Sequence, residues 1–374
     1  MLNLYKPRRQ IIAEAVSVLS SYGVSQEVRD RLTVIFDEQG DRELYRANPR
    51  LLAAHLQLHE RTALQLLVMA LREGLVTLNW EVECPACGGI DPAHHHLHEL
   101  RSLHTCPACK TIHETNADDQ VRVTFTLDER LRKLTAAADD PDFRNKMDRR
   151  YGTVSAHHML TLPTFRQLFP KETLPPNESL LIRRVAILFT DLAGSTQLYT
   201  RRGDTQAYEL VHRHFDLLFR IVDEQRGAVV KTIGDAVMAA FTEPHQALQA
   251  AIAMHTQLNQ LNQDLALPPD DWLRLKIGID AGPCVSVTLN DRLDYFGTTV
   301  NRAARVQNAS YPGSITITDT LLQDMVRVDS FRGWQRQQRA LRLKGIDHPV
   351  TVYDLAPPQG SQDSRSGTST HRQV

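Results

Sequence analysis

Between Val185 and Ile279 the apolar residues change period in a fixed order, and that order limits the folds open to this chain more than any other feature. Val185–Thr190 is a β-branched, apolar run of strand length that stops at Asp191 and the small-residue turn Leu192-Ala193-Gly194-Ser195. A helical spacing follows, with Asp204 expected as its cap and Ala207, Leu210, Leu217 and Ile221 on its apolar face. Val229–Ile233 and Ala236–Phe241 read as two strands joined by the pair Gly234-Asp235, a hairpin signal. A second amphipathic helix uses Leu248, Ala251, Ile252 and Leu258. The last strand alternates, with Leu273, Leu275, Ile277 and Ile279 on one face and Arg274, Lys276 and Gly278 on the other.

Strand, helix, strand, strand, helix, strand is the order of a split βαβ, so an α+β, ferredoxin-like sheet is expected for the C-terminal half. In that topology the first two strands run parallel with the third inserted between them. The end of the first strand and the turn after the second then meet at one sheet edge, which makes Asp191 and Asp235 neighbours. Adjacent carboxylates repel unless a cation lies between them, and an all-oxygen set suits Mg²⁺ or Mn²⁺.

The chain has 374 residues, enough for several domains. Its 43 Lys and Arg nearly equal its 44 Asp and Glu, so no global field draws it to nucleic acid or anionic lipid. No apolar run is long enough to span a bilayer, and Met1–Lys6 has no signal-peptide core. A cytoplasmic protein is therefore expected. In that compartment paired cysteines point to metal rather than disulfides.

The N-terminal third reads as mainly helical. Apolar-periodic segments within Pro49–Gly74, followed by a strand at Leu75–Val82, resemble a winged-helix unit. Duplex binding needs several phosphate contacts, and no Lys/Arg stripe marks the second helix, so the reading of a helical interaction unit is preferred over DNA binding. Cys84-Pro85-Ala86-Cys87 and Cys106-Pro107-Ala108-Cys109 follow, with eighteen residues between the pairs. That spacing predicts one structural Zn²⁺ held by Cys84, Cys87, Cys106 and Cys109 in a zinc-ribbon-like module closed by a strand at Val121–Phe125. The His94-His95-His96-Leu97-His98 run is read as a solvated loop, because four thiolates already fill a zinc shell. A polar helix from Asp128 to about Leu134 should begin a proline-punctuated connector with little regular structure. The expected divisions are a helical unit at 1–83, the zinc module at 84–126, the connector at 127–180, the sheet domain at 181–356 and a disordered tail at 357–374.

Chemistry enters with Asp294-Tyr295-Phe296-Gly297-Thr298-Thr299-Val300-Asn301-Arg302-Ala303-Ala304-Arg305, read as a turn entering a helix. Asn301 and Arg305 share one helical face. Arg305 offers a planar fork to a phosphate, and Asn301 a neutral hydrogen bond to a ribose. Lys231 and Asp294 supply one donor and one acceptor, which suits adenine N1 and N6-H₂, whereas guanine would need acceptors for N1-H and N2-H₂. No Gly-x-x-x-x-Gly-Lys-Ser/Thr loop is present, which excludes a P-loop NTPase.

With these motifs in this order, Arg184–Leu355 resembles the catalytic domain of the class III nucleotidyl cyclases. The resemblance implies an adenylate cyclase that converts ATP to 3′,5′-cyclic AMP and pyrophosphate. It implies that Asp191 and Asp235, with the Leu192 carbonyl, hold two Mg²⁺ or Mn²⁺ ions, and that Lys231 and Asp294 select adenine. Asn301 would orient the ribose, Arg305 would meet charge on the α-phosphate, and Lys344 in Leu343-Lys344-Gly345 would contact the terminal phosphates. It also implies a head-to-tail homodimer with shared sites; regulation is expected from the N-terminal region, by sensing a ligand, binding a partner or holding the dimer in an inactive register. The segments Leu162–Arg166 and Leu174–Leu180 are similar to the lead-in of bacterial cyclases that carry an N-terminal domain of unassigned role. Two departures stand out: the dimerisation arm between Gly282 and Asp294 is short, and Phe296 replaces a commoner tryptophan. The alternatives are a guanylate cyclase, a silent nucleotide-binding scaffold of the same fold, and a transcription factor, the last disfavoured by charge.

Overall fold

A computed structural model describes residues 6–91, 94–290, 292–324 and 334–356. The N-terminal half opens with helices α1 (Arg8–Ser17), α2 (Gln26–Glu38), α3 (Asp41–Leu44), α4 (Pro49–Leu56) and α5 (Glu60–Arg72). Asn48 accepts from the amides of Arg50 and Leu51 to start α4, with Pro49 in its first turn where no amide is needed. Strand β1 (Val76–Val82) follows, then the short strands β2 (Leu103–Thr105) and β3 (Ile112–Glu114), which pair with each other, and then β4 (Val121–Leu127). The helices and strand of the winged-helix-like unit thus form as α4, α5 and β1. The strand expected at Val121–Phe125 forms as β4, antiparallel to β1 from Val76↔Leu127 to Val82↔Val121. The cysteine module is therefore an excursion from the end of a β-ribbon.

Two expectations for the next segment fail. Residues 128–134 make a turn instead of a helix, because the Arg130 guanidinium folds back onto the Asp128 carboxylate at 2.7 Å. Beyond it the chain builds three helices where an irregular connector was expected: α6 (Pro141–Tyr151), α7 (Ala156–Leu160) and α8 (Pro163–Leu168). Pro141 and Pro163 sit in first turns, so these prolines begin helices rather than interrupt them.

The C-terminal half runs β5 (Ser179–Leu192), α9 (Ser195–Arg202), α10 (Asp204–Glu224), β6 (Ala228–Ile233), β7 (Ala236–Phe241), α11 (Pro244–Asp264), β8 (Leu275–Leu289), β9 (Arg292–Phe296), α12 (Thr298–Asn308), β10 (Ser314–Thr318), α13 (Asp319–Asp324), β11 (Gln335–Leu341) and β12 (Val350–Ala356). The sheet order is β11-β12-β10-β8-β5-β7-β6, with β9 paired to the outer part of β8. Its β8-β5-β7-β6 portion has the ferredoxin-like order, with β7 antiparallel to both β5 and β6. Asp204 lies in the first turn of α10, and the cap position is Gly203, so its charge complements the helix dipole instead of capping an amide.

Both sheet faces are buried. Ala186, Leu188, Ala239 and Phe241 pack under α10 and α11. Ile187, Phe189, Met238 and Ala240 join a core that also holds Trp80, Leu160 and Phe165, so the N-terminal half covers the second face. Backbone bonds stitch the halves together: Ala117 donates to the Leu181 carbonyl (2.8 Å), and Leu181 donates to that of Thr115 (3.0 Å). The tail expected to be disordered, 357–374, lies outside the described residues.

Candidate active site and cysteine centre

The sheet ladder carries β5 to its end, pairing Asp191 with Lys276 and Leu192 with Leu275. On the other side the Val237 amide donates to Thr190 Oγ1 at 3.1 Å, which brings the β6–β7 turn beside Asp191. In that turn Gly234 takes φ 64°, a left-handed conformation that turns the chain in two residues. Burial, then the neighbouring Asp235 charge, holds the Asp191 carboxyl above its ordinary range. Lys276 Nζ is 3.6 Å from Asp191 Oδ2 and opposes the shift. Asp235 Oδ2 is buried and has no hydrogen-bond partner. The Lys276 ammonium thus faces the Asp191 carboxylate, while the buried acceptor on Asp235 is unsatisfied. Such a set of hard oxygens fits a divalent cation of the Mg²⁺ class.

Lys231 and Asp294 also meet, as an ion pair between Lys231 Nζ and Asp294 Oδ2. Asp294 is buried on strand β9 rather than in the expected turn, and Tyr295 N donates to its Oδ1 at 2.8 Å. Lys231 Nζ lies 5.8 Å from the centroid of the Phe296 ring, itself 45% exposed. The pair thus keeps one side open to solvent.

Helix α12 crosses the sheet at Gly278, where an added Cβ would lie 2.2 Å from the Gln307 backbone nitrogen. Only glycine permits that approach. Arg302 anchors the helix through two bonds to buried Asp280 (2.5 and 3.1 Å), which also accepts from Thr318 Oγ1 at 2.6 Å. Flanking that anchor, Asn301 is exposed and Arg305 half-buried. A Cβ on Gly345 would lie 3.6 Å from the Arg305 guanidinium, so Arg305 and the Lys344-Gly345 turn are neighbours. Lys344 is exposed.

The sequence-marked residues therefore form three groups: Asp191 with Asp235 and Leu192, Lys231 with Asp294, and Arg305 with Lys344 and Asn301. No hydrogen bond or ion pair among the described residues joins the first group to the other two. Lys276, Asp280 and Arg302 were not singled out from sequence. Asp280 carries a readable signal, an acid following the apolar alternation of Ile277 and Ile279.

The four cysteines converge. Cys84 and Cys109 Sγ lie 3.7 Å apart, as do those of Cys87 and Cys106, and all four fall within 4.8 Å of one another. A tetrahedron of Zn–S bonds near 2.3 Å has edges of about 3.8 Å, which two of the six sulfur–sulfur distances match, and with the others within 4.8 Å the thiol set fits a zinc ion. Each pair sits in a matching turn: Gly88 N donates to the Cys84 carbonyl and Lys110 N to that of Cys106, both at 2.9–3.0 Å. Gly88 and Lys110, each just past its second cysteine, both take positive φ.

Comparison with known proteins gives two family matches. Residues 179–356 match the adenylate and guanylate cyclase catalytic domain, and residues 12–167 match a family of unknown function, DUF5939. An adenylate cyclase of Anabaena cylindrica is 27% identical over 185 residues, covering 46% of this chain and 37% of its own length. A putative adenylate cyclase 3 of Rhizobium meliloti is 29% identical over 192 residues, covering 50% of this chain and 30% of its own. The chain thus spans about a third of the length of these relatives. Among solved structures, the adenylyl cyclase CyaB of P. aeruginosa is similar at 23% identity, over 49% of this chain and 97% of that one, with a TM-score of 0.44. No helix among the described residues is long and apolar enough to cross a membrane.

Proposed function

Because residues 179–356 belong to the adenylate and guanylate cyclase catalytic domain family, we propose that this protein is an adenylate cyclase forming 3′,5′-cyclic AMP and pyrophosphate from ATP. The observation that carries the reading is the meeting of Asp191 with Asp235, whose Oδ2 is buried and unpartnered, at a solvent-reached sheet edge. Those carboxylates and the Leu192 carbonyl would hold two Mg²⁺ or Mn²⁺ ions. When bound, these supply Lewis acidity that makes the ribose 3′-hydroxyl more acidic and offsets triphosphate charge.

The chain's own groups do the rest. Lys231 donates to adenine N1 and Asp294 accepts from N6-H₂, each exchanging its present partner for the base. Asn301 orients the ribose. Arg305 meets charge that builds on the α-phosphate oxygens, so its loss lowers turnover more than binding. Lys344, close to Arg305, takes the terminal phosphates. The exposed Asn301 and Phe296 leave this half-site open to a second copy of the chain, which supports a head-to-tail homodimer with each site shared.

We assign 1–83 to a helical unit, 84–126 to a module held by one structural Zn²⁺ on Cys84, Cys87, Cys106 and Cys109, 127–180 to the link and 181–356 to catalysis. Control by a ligand or partner falls to the N-terminal half. Reduced thiolates suit a cytoplasmic setting.

The test is product formation by the full chain with ATP or GTP, in Mg²⁺ or Mn²⁺. Cyclic AMP alone supports the reading; cyclic GMP formed from GTP at equal or greater rate moves it to guanylate cyclase, and no product with either points to a silent scaffold. Mixing inactive Asp191→Ala and Arg305→Ala chains should restore part of the activity. No recovery would count against shared sites.

A further inference from the structure

Lys231 and Asp294 stand on strands that are not neighbours in the sheet. Among the described residues β6 pairs only with β7, and β9 only with β8. Something other than the ladder must therefore set the gap between them. Besides the Lys231–Asp294 ion pair itself, a side chain from outside both strands spans it. Arg166, on α8 of the N-terminal half, donates from one guanidinium nitrogen to the Val229 carbonyl and from the other to the Leu293 carbonyl, each at 3.1 Å. Val229 is two residues before Lys231, and Leu293 immediately precedes Asp294.

Local structure explains why the Val229 carbonyl is available to an arginine. The β6–β7 register shifts between Val229 and Lys231, a bulge that takes part of β6 out of the regular ladder. Packing supports the same junction. Val230, Leu293 and Tyr295 belong to the core that holds Leu162 and Phe165, and the His157 ring meets Tyr295 edge-on at 5.9 Å. A cleft of about 620 Å³ opens beside this bridge, lined by Arg166, Phe169, Phe219, Val229 and Leu293.

We propose that Arg166 is a positioning residue for base selection: its planar fork, reaching from the N-terminal half, ties β6 to β9 and so sets the separation of Lys231 and Asp294. The proposal rests on the adenine-selecting role given above to that pair. It also supplies a physical route from the N-terminal half to the nucleotide site, since any shift of α8 moves both strands. A lysine cannot replace the fork, because one ammonium at the end of a flexible stem does not hold two carbonyls in a fixed plane.

The experiment uses the full chain with Arg166→Ala and Arg166→Lys, with Gln167→Ala as a neighbouring control. Two readouts are taken. In steady-state kinetics, Arg166→Ala should raise KM for ATP roughly tenfold and narrow the preference for ATP over GTP, with kcat changed much less, as loss of positioning for one charged contact predicts. Arg166→Lys should recover little of this, and the control should match the parent. A fall in kcat alike for both nucleotides, with KM and preference unchanged, would overturn the proposal, since that is what a merely structural role gives. The second readout is amide hydrogen exchange in 228–233 and 292–296, which needs no turnover. Faster exchange in both strands of Arg166→Ala supports the bridge even if the parent makes no cyclic nucleotide; exchange equal to the parent overturns it. Failure of the cyclase reading and failure of this inference are thereby separated.

Discussion

The cysteine centre and the carboxylate pair are both sets of metal-seeking side chains, but the chain assembles them by opposite means. The four thiols come from two short turns of the same design, the second carried at the tip of the β2–β3 ribbon, and lie within 4.8 Å of one another. The two acids come from a strand end and a distant hairpin, and only the sheet brings them together. Four thiols would close the first shell by themselves; the second set keeps an unsatisfied oxygen on Asp235 and an exposed flank. A closed shell serves folding, and an open one serves a substrate. Metal should accordingly hold the first region in shape and make the second reactive.

The largest effect expected from that contrast is on turnover. Asp191→Ala should lower cyclic nucleotide formation by at least about a thousandfold, since it removes one of the two acids that would carry the catalytic cations. Circular dichroism should be unchanged, because Asp191 contributes repulsion rather than packing. Loss of fold in this variant would break the contrast by making the open site structural.

The reverse is expected at the cysteines. Cys84→Ser should disorder the excursion between β1 and β4 and lower stability by several kcal/mol, while the sheet domain keeps its exchange protection. A thiol-competing chelator should do the same to the parent chain. Removal of Mg²⁺ or Mn²⁺ by a mild carboxylate chelator should stop turnover and be reversed by adding the ion back. If stripping zinc leaves residues 84–114 as protected as before, the thiols are not a structural centre.

How each region could be read from sequence follows from the same difference. The cysteine centre is written in local spacing. The acids required a topology first, and the periods between Val185 and Ile279 supplied it because each strand and helix there keeps one apolar rhythm. Val185–Phe189 is apolar on both faces, which signals a strand covered on both sides, yet nothing in the run names its second cover. That cover is the N-terminal half, through Trp80, Leu160 and Phe165. The prolines at 141 and 163 misled for a definite reason: the same residue that ends a helix also opens one, and only the tertiary context separates the two uses. Residues 128–134 have helical composition, but Arg130 satisfies Asp128 locally and stabilises a turn. Lys231 and Asp294 were legible as a donor and an acceptor; that they face each other depends on a bulge in β6 and on the β9 hairpin, which no periodicity reveals.

The smallest predicted effect tests the open site without catalysis. Burial and the Asp235 charge raise the Asp191 carboxyl above its ordinary 3.8, so the folded state binds that proton more tightly than the unfolded chain. A raised carboxyl costs stability wherever it is ionised, and the cost disappears as pH falls through the folded-state value. In metal-free protein, Asp191→Asn should therefore melt higher than the parent at neutral pH, by about 2 °C for a domain of this size. The two melting curves should converge under acid, where the parent carboxyl is itself neutral. Adding Mn²⁺ at neutral pH should reverse the order, because the cation stabilises the parent through the carboxylate and gains less from the amide. An Asn variant that gains as much from Mn²⁺ as the parent, or a difference that persists unchanged into acid, would mean that the two acids are ordinary surface charges and that the sheet edge is no metal site.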